Sequence, residues 1–159
     1  MPGFLPLANF LGQFKTGHAR HLDITDHQIE IRVRYSETDA MGFLHHANYV
    51  KYFEIGRMEL FRTQGGSYRR MEELGLFFVV AKVQVRYRRP ARYDDLLTLH
   101  TRISRTTTVR LEHSYQLFRG EELLAEADST LACVDRQGTL QMIPRDLVAF
   151  TQEPPHETP

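Results

Sequence analysis

The feature that limits the fold most is a single long helical pattern set among alternating segments. From Ala47 to Thr63, Val50, Phe53, Leu60 and Phe61 recur at helical spacing, and Tyr49, Tyr52, Ile55 and Met58 widen the apolar face. Lys51, Glu54, Glu59 and Arg62 take the solvated side, with Glu54 and Glu59 spaced to pair with Arg57 and Arg62. Gly65-Gly66 ends this helix, and a shorter one fits between Ser67 and Gly75. Everything else regular has period two. Ile29, Ile31, Val33 and Tyr35 alternate with polar neighbours, and alternating runs return at 79–88, 97–103, 109–117 and 122–134, with a short one at 139–143. The turns Arg119-Gly120-Glu121 and Asp135 to Gly138 separate the later runs. One strand, one broad apolar helix and then several antiparallel strands is an α+β layout, in which a sheet of five to six strands wraps the helix.

Residues 1–28 show no sustained period and read as an N-terminal arm, 29–150 as the domain, and 151–159, with three prolines between 154 and 159, as a disordered tail; 145–150 has room for one helical turn. The helix and the outer side of the sheet carry more apolar surface than one copy hides, so a homodimer or homotetramer is expected.

Charge narrows the classes of function. With 20 basic and 20 acidic residues the chain has no net charge, which disfavours a protein that coats nucleic acid. No apolar run approaches the ~20 residues of a membrane span. The lone Cys133 rules out an intrachain disulfide and a cysteine zinc site and suits a reducing, cytoplasmic setting. Of the 20 basic residues 17 are Arg, and Arg86, Arg88, Arg89 and Arg92 form the densest run. Arginine grips phosphate through a planar fork of donors.

Chemistry concentrates in Tyr35-Ser-Glu-Thr-Asp39-Ala-Met-Gly42-Phe-Leu-His45-His46-Ala-Asn48-Tyr49, between the first strand and the long helix. A carboxylate there stands next to a helix N-terminus, whose free N–H groups and dipole stabilise a developing oxyanion. That combination permits acyl transfer, with the carboxylate as base or nucleophile. The adjacent imidazoles of His45 and His46 are expected to diverge and no third ligand follows at metal spacing, so no metal site is read here.

The same run resembles the active-site signature of the hotdog-fold acyl-CoA thioesterases, in particular the 4-hydroxybenzoyl-CoA thioesterase family and its Tol-Pal-associated branch. The pattern Tyr-x-x-Thr-Asp-x-x-Gly-x-x-x-His-x-Asn-Tyr stands here as Tyr35, Thr38, Asp39, Gly42, His46, Asn48 and Tyr49, with every spacing intact. Pro90 to Asp95 resembles the family's loop after the second strand, and His45 departs from the tyrosine usual in that branch. The resemblance implies a hotdog fold and hydrolysis of an acyl-CoA, or of an acyl-carrier-protein thioester, with coenzyme A entering as part of the substrate and no other cofactor. It further implies that Asp39 is the catalytic carboxylate, that the backbone N–H of His46 or its neighbour polarises the thioester carbonyl, and that the active sites lie at a subunit interface.

Substrate contacts are expected from Tyr35, Gly42, His45, Asn48 and Tyr49, and a coenzyme A phosphate site from Arg88, Arg89 and Arg105. Plainer roles exist for each: Asp39 as a turn residue, Asn48 and Tyr49 as packing, the arginines as a solvated strand face. Two other functions fit the same residues, an enoyl-thioester hydratase or dehydratase and a non-catalytic acyl-thioester binder.

Overall fold

The computed structural model describes residues 25–144 of the 159. The elements run β1 (Asp26–Arg32), α1 (His46–Thr63), α2 (Tyr68–Glu73), β2 (Phe77–Tyr87), β3 (Leu96–Thr106), β4 (Arg110–Arg119) and β5 (Glu122–Val134). The strands form one antiparallel sheet in the order β1-β3-β4-β5-β2, which leaves β1 and β2 as its edges.

Alternation explains the layering. One cross-strand row, Ile29, Leu99, Leu117, Ala125 and Tyr87, faces α1, whereas the next, Gln28, His100, Gln116, Glu126 and Arg86, faces away. Tyr49, Tyr52 and Phe53 of α1 bury against the first row, and Phe53 stacks on Tyr115 with ring centroids 4.8 Å apart. Gly56 lets the helix approach β3 closely, because a Cβ there would collide with Thr101 Oγ1 and lie 2.7 Å from Leu99 Cδ2. A second apolar cluster, Phe61, Met71, Leu111, Leu131, Cys133 and Ile143, closes the other end of α1.

Several expected boundaries move. The first strand starts at Asp26, inside the segment read as an arm, and ends at Arg32. Beyond it the Val33 N–H donates to the Asp95 carbonyl and Asp94 returns a bond to Val33, so the chain turns from the sheet onto the 90–95 loop. Tyr35 therefore opens a 3-10 turn, Tyr35–Glu37, instead of ending a strand. The run at 139–143 makes only an isolated bridge, Val134 to Leu140, so the sheet has five strands among the described residues. Val50 and Ile55 are exposed, which narrows the buried face of α1. Arg57 is instead buried, bonded to Tyr68 Oη and to Glu54, each at 3.3 Å, and Glu59 pairs with Arg62 as the spacing predicts. Residues 1–24, the expected turn at 145–150 and the tail lie outside the described residues.

Candidate active site

The segment between β1 and α1 is shaped almost entirely by polar bonds. Glu37 accepts the Arg34 N–H at 2.8 Å and closes the 3-10 turn, and Thr38 Oγ1 donates to the Tyr35 carbonyl at 2.8 Å. Residues 39–43 then curl around the Asp39 side chain. Its Oδ1 accepts the N–H groups of Met41 at 2.9 Å and Phe43 at 3.2 Å, while the Asp39 N–H donates to the Phe43 carbonyl at 2.8 Å. Gly42 sits at φ +75° and donates its N–H to the Asp39 carbonyl at 2.9 Å, a backbone shape that glycine adopts without steric cost. The loop rests on the 90–95 segment, where the Leu44 N–H donates to the Ala91 carbonyl at 2.8 Å and Arg92 lies over the Phe43 ring.

At the start of α1 the cap decides which amides are free. His45 is the N-cap, and its Nδ1 accepts the Ala47 N–H at 3.2 Å. The Asn48 N–H donates to the His45 carbonyl at 2.9 Å. The His46 N–H has no acceptor among the described residues. Bound by its own cap, the Ala47 amide is occupied, and the unused donor at the positive end of the helix dipole is the amide of His46.

Asp39 and His46 line one open cavity of about 370 Å³, together with Tyr49, Tyr87, Arg88, Arg89 and the apolar Met41, Phe43, Leu44 and Pro90. Two larger hollows, about 440 Å³ on the outer sheet face and 700 Å³ beside β1, contain none of the expected site residues. The residues around the cavity therefore bring a carboxylate, an imidazole, two phenols and two guanidinium groups over an apolar floor. Burial raises the Tyr49 and Tyr87 phenols above the usual value, so both remain protonated at neutral pH.

The other expected residues divide. Tyr49 is buried, with its hydroxyl accepting the Ala91 N–H at 3.3 Å and its ring edge-to-face with Tyr87. Asn48 is buried outside the cavity, and its Nδ2 donates to the Glu37 carbonyl at 2.8 Å. Tyr35 is exposed, packed edge-on against Tyr93, and does not reach the cavity. Gly42 serves the turn, and His45 serves the cap. The two imidazoles do not diverge as expected. Their rings stack with centroids 4.2 Å apart, because the cap bond of His45 turns its ring over the first helical residue. No group of three His, Cys, Asp or Glu suited to a metal occurs among the described residues.

Arg88 is engaged by Glu126, with Nε at 2.8 Å and Nη2 at 2.6 Å, whereas Arg89 is 68 % exposed and only 3.9 Å from Glu122. Arg105 pairs in register with Glu112 near the far end of β3, so a single chain does not bring it to the cavity. The residues that sequence reasoning missed are Tyr87, whose hydroxyl donates to the His46 carbonyl at 3.1 Å, and the apolar floor. Tyr87 continues the inward alternation of Val83 and Val85, but its place beside α1 follows only from the sheet order.

The thioesterase-like superfamily model matches residues 33–153, which is most of the chain and takes in the whole cavity. The chain belongs to this superfamily. The match to relatives extends over most of their own length. The acyl-CoA thioester hydrolase YbgC of Escherichia coli is 37 % identical over 118 residues, covering 74 % of this chain and 86 % of that one. Among solved structures, a probable thioesterase from Bartonella henselae superposes with a TM-score of 0.72 at 34 % identity, covering 75 % and 99 % of the two chains. A DHNA-CoA thioesterase from Staphylococcus aureus superposes with a TM-score of 0.70 at 30 % identity, covering 76 % and 81 %. The five-stranded sheet around α1 is accordingly a hotdog fold.

Proposed function

We propose that this thioesterase-superfamily member hydrolyses acyl-CoA thioesters, with Asp39 as the catalytic carboxylate and the His46 amide as the oxyanion donor. The observation that carries the reading is that Asp39 and His46 line the same cavity, and that among the described residues Asp39 Oδ2 and the His46 N–H at the α1 N-terminus have no partner. A thioester carbonyl oxygen placed on the His46 N–H gains a hydrogen bond that strengthens as charge develops on it. Oδ1 of Asp39 is held by two backbone donors, so Oδ2 is the oxygen left to react. Two routes fit. Oδ2 takes a proton from water while the water oxygen bonds to the carbonyl carbon; alternatively Oδ2 bonds to that carbon itself and water later opens the resulting anhydride. In either route the C–S bond breaks, coenzyme A departs as thiolate and is protonated, and the free acid remains. A thiolate is a good leaving group, so the site requires no strong general acid.

Coenzyme A enters only as part of the substrate, and Arg89, with Arg88 beside it, is the side of the cavity suited to its phosphates. The intact motif spacing favours the Tol-Pal-associated branch, and the single cysteine favours a cytoplasmic setting. The catalytic unit in this reading extends from β1 to about residue 150. No helix among the described residues is long and apolar enough to cross a membrane. The edge strand β2 is apolar and open, with Val79, Val80, Val83 and Tyr87 all over 40 % exposed, beside the exposed Val50 of α1. Pairing of β2 with a second copy would hide these residues, continue the sheet and set the partner beside the cavity mouth formed by Tyr87, Arg88 and Arg89.

The test is thiol release from a panel of acyl-CoA and acyl-carrier-protein thioesters, for wild type and for Asp39→Asn. Release that depends on Asp39 supports the reading. Equal release by the variant removes Asp39 from it, and loss of enoyl-CoA absorbance without thiol release would indicate hydration instead.

A further inference from the structure

The best-connected residue of the candidate site is one that does not touch its cavity. Glu37 is absent from the cavity walls, yet four hydrogen bonds converge on it. Its Oε2 accepts the Arg34 N–H at 2.8 Å and the Tyr52 hydroxyl at 2.6 Å, and its carbonyl accepts the His45 N–H at 2.9 Å and Asn48 Nδ2 at 2.8 Å. Asn48 and Tyr52 stand one turn apart on the buried face of α1. Short O–H···O bonds to a carboxylate are among the strong ones, and the burial of Tyr52, followed by its hydrogen bond to Glu37, holds its phenol above the ordinary value as a donor.

The placement of these bonds gives them a functional meaning. Asp39 follows Glu37 by two residues on the loop, and His46 follows His45, whose N–H the same residue holds. One side chain and its own carbonyl thus tie the loop carrying the proposed carboxylate to the helix carrying the proposed oxyanion donor. We propose that Glu37 is a positioning residue, fixing the separation between the Asp39 carboxylate and the His46 amide through Tyr52, Asn48 and the His45 N–H. The proposal rests on the hydrolytic reading above. It predicts that disturbing Glu37 damages the chemical step more than substrate binding, since a misplacement of about 1 Å costs on the order of 10²-fold in rate.

The experiment measures kcat and KM by thiol release for Glu37→Ala, Glu37→Gln and Tyr52→Phe, with the thermal midpoint of each and amide hydrogen exchange at Met41 and Phe43. These two amides hold Asp39 Oδ1 and report the loop directly. Glu37→Ala is expected to lower kcat about 10²-fold with KM within about threefold, and to speed exchange at Met41 and Phe43 while β4 and β5 stay protected. Glu37→Gln keeps an oxygen acceptor and should recover most of kcat, and Tyr52→Phe should fall between, by about tenfold. A loss in kcat that follows global destabilisation and is not restored by glutamine overturns the proposal, as does unchanged kcat in folded Glu37→Ala. Should wild type release no thiol from any substrate, the hydrolytic reading fails and the exchange data decide alone: faster exchange in Glu37→Ala supports the positioning role of Glu37, and unchanged exchange overturns it.

Discussion

The two ends of α1 are held by different forces. At its N-terminus the chain from Tyr35 to His45 is secured by short polar bonds around Glu37 and Asp39, and His46, whose N–H has no acceptor among the described residues, lines a cavity. At its C-terminus the helix is sealed by apolar contact: Phe61 meets Tyr68 and Phe78, and Met71, Leu111, Leu131 and Cys133 fill the space beneath. Polar bonds are directional and fix positions, whereas apolar burial supplies most of the net stabilisation without fixing any one atom as tightly. One helix therefore divides the labour, and substitutions at its two ends should separate rate from stability.

The largest expected effect lies at the polar end. Asp39→Asn preserves an oxygen for the Met41 and Phe43 amides while removing the charge, so kcat should fall by about 10²–10⁴-fold with the thermal midpoint little changed. Asp39→Ala is the blunter test, because it also strands those two donors and loosens the loop. At the apolar end the balance reverses. Leu131 is fully buried, and Leu131→Ala should cost about 2–5 kcal/mol in denaturant unfolding while the kcat of the remaining folded protein changes less than about threefold. If instead Leu131→Ala selectively slowed turnover, the two ends would be coupled and the division would fail.

The same division explains what the sequence made legible. The inward row Ile29, Leu99, Leu117 and Ala125 is visible as alternation, because burial on one face of a strand leaves a period of two in the residues. The carboxylate and the helix start were readable from spacing within a single loop. Facts that depend on a partner distant in sequence were not. Tyr35 leaves the strand because Val33 finds Asp94 and Asp95, and Glu37 matters because Tyr52 and Asn48 turn toward it. That the free amide is His46 and not Ala47 is decided by the ring of His45. Arg105 was expected to join Arg88 and Arg89 at the phosphate site, but it lies nine residues beyond the start of β3, about 30 Å along an extended strand.

A smaller effect tests the middle of the molecule, between the two ends. His113 is buried, its Nδ1 has no partner among the described residues, and burial, followed by the charge of Arg57, pushes its pKa down to about 4. The unfolded chain takes up that proton near pH 6.5, so between pH 6.5 and 4 the unfolded state binds more protons and stability falls as pH falls. The loss reaches about 3 kcal/mol at most, and below pH 4 it levels off. Urea unfolding of His113→Leu across this range should show a shallower decline than wild type by up to that amount. Parallel curves would mean that His113 is not held neutral by the fold.

The smallest effect returns to the cavity mouth, where neighbouring arginines differ in their commitments. Arg88 already spends its donors on Glu126, and Arg89 does not. Arg89→Ala should raise KM for acyl-CoA about threefold to tenfold, roughly 1 kcal/mol, and leave KM unchanged for a thioester that lacks the nucleotide. Arg88→Ala should weaken binding less directly, because it frees Glu126 as an uncompensated negative charge near any bound phosphate. An equal rise in KM for both substrates in the Arg89 variant would mean that its guanidinium shapes the mouth and does not bind phosphate. A rise confined to the nucleotide-bearing substrate assigns that side of the cavity to the coenzyme.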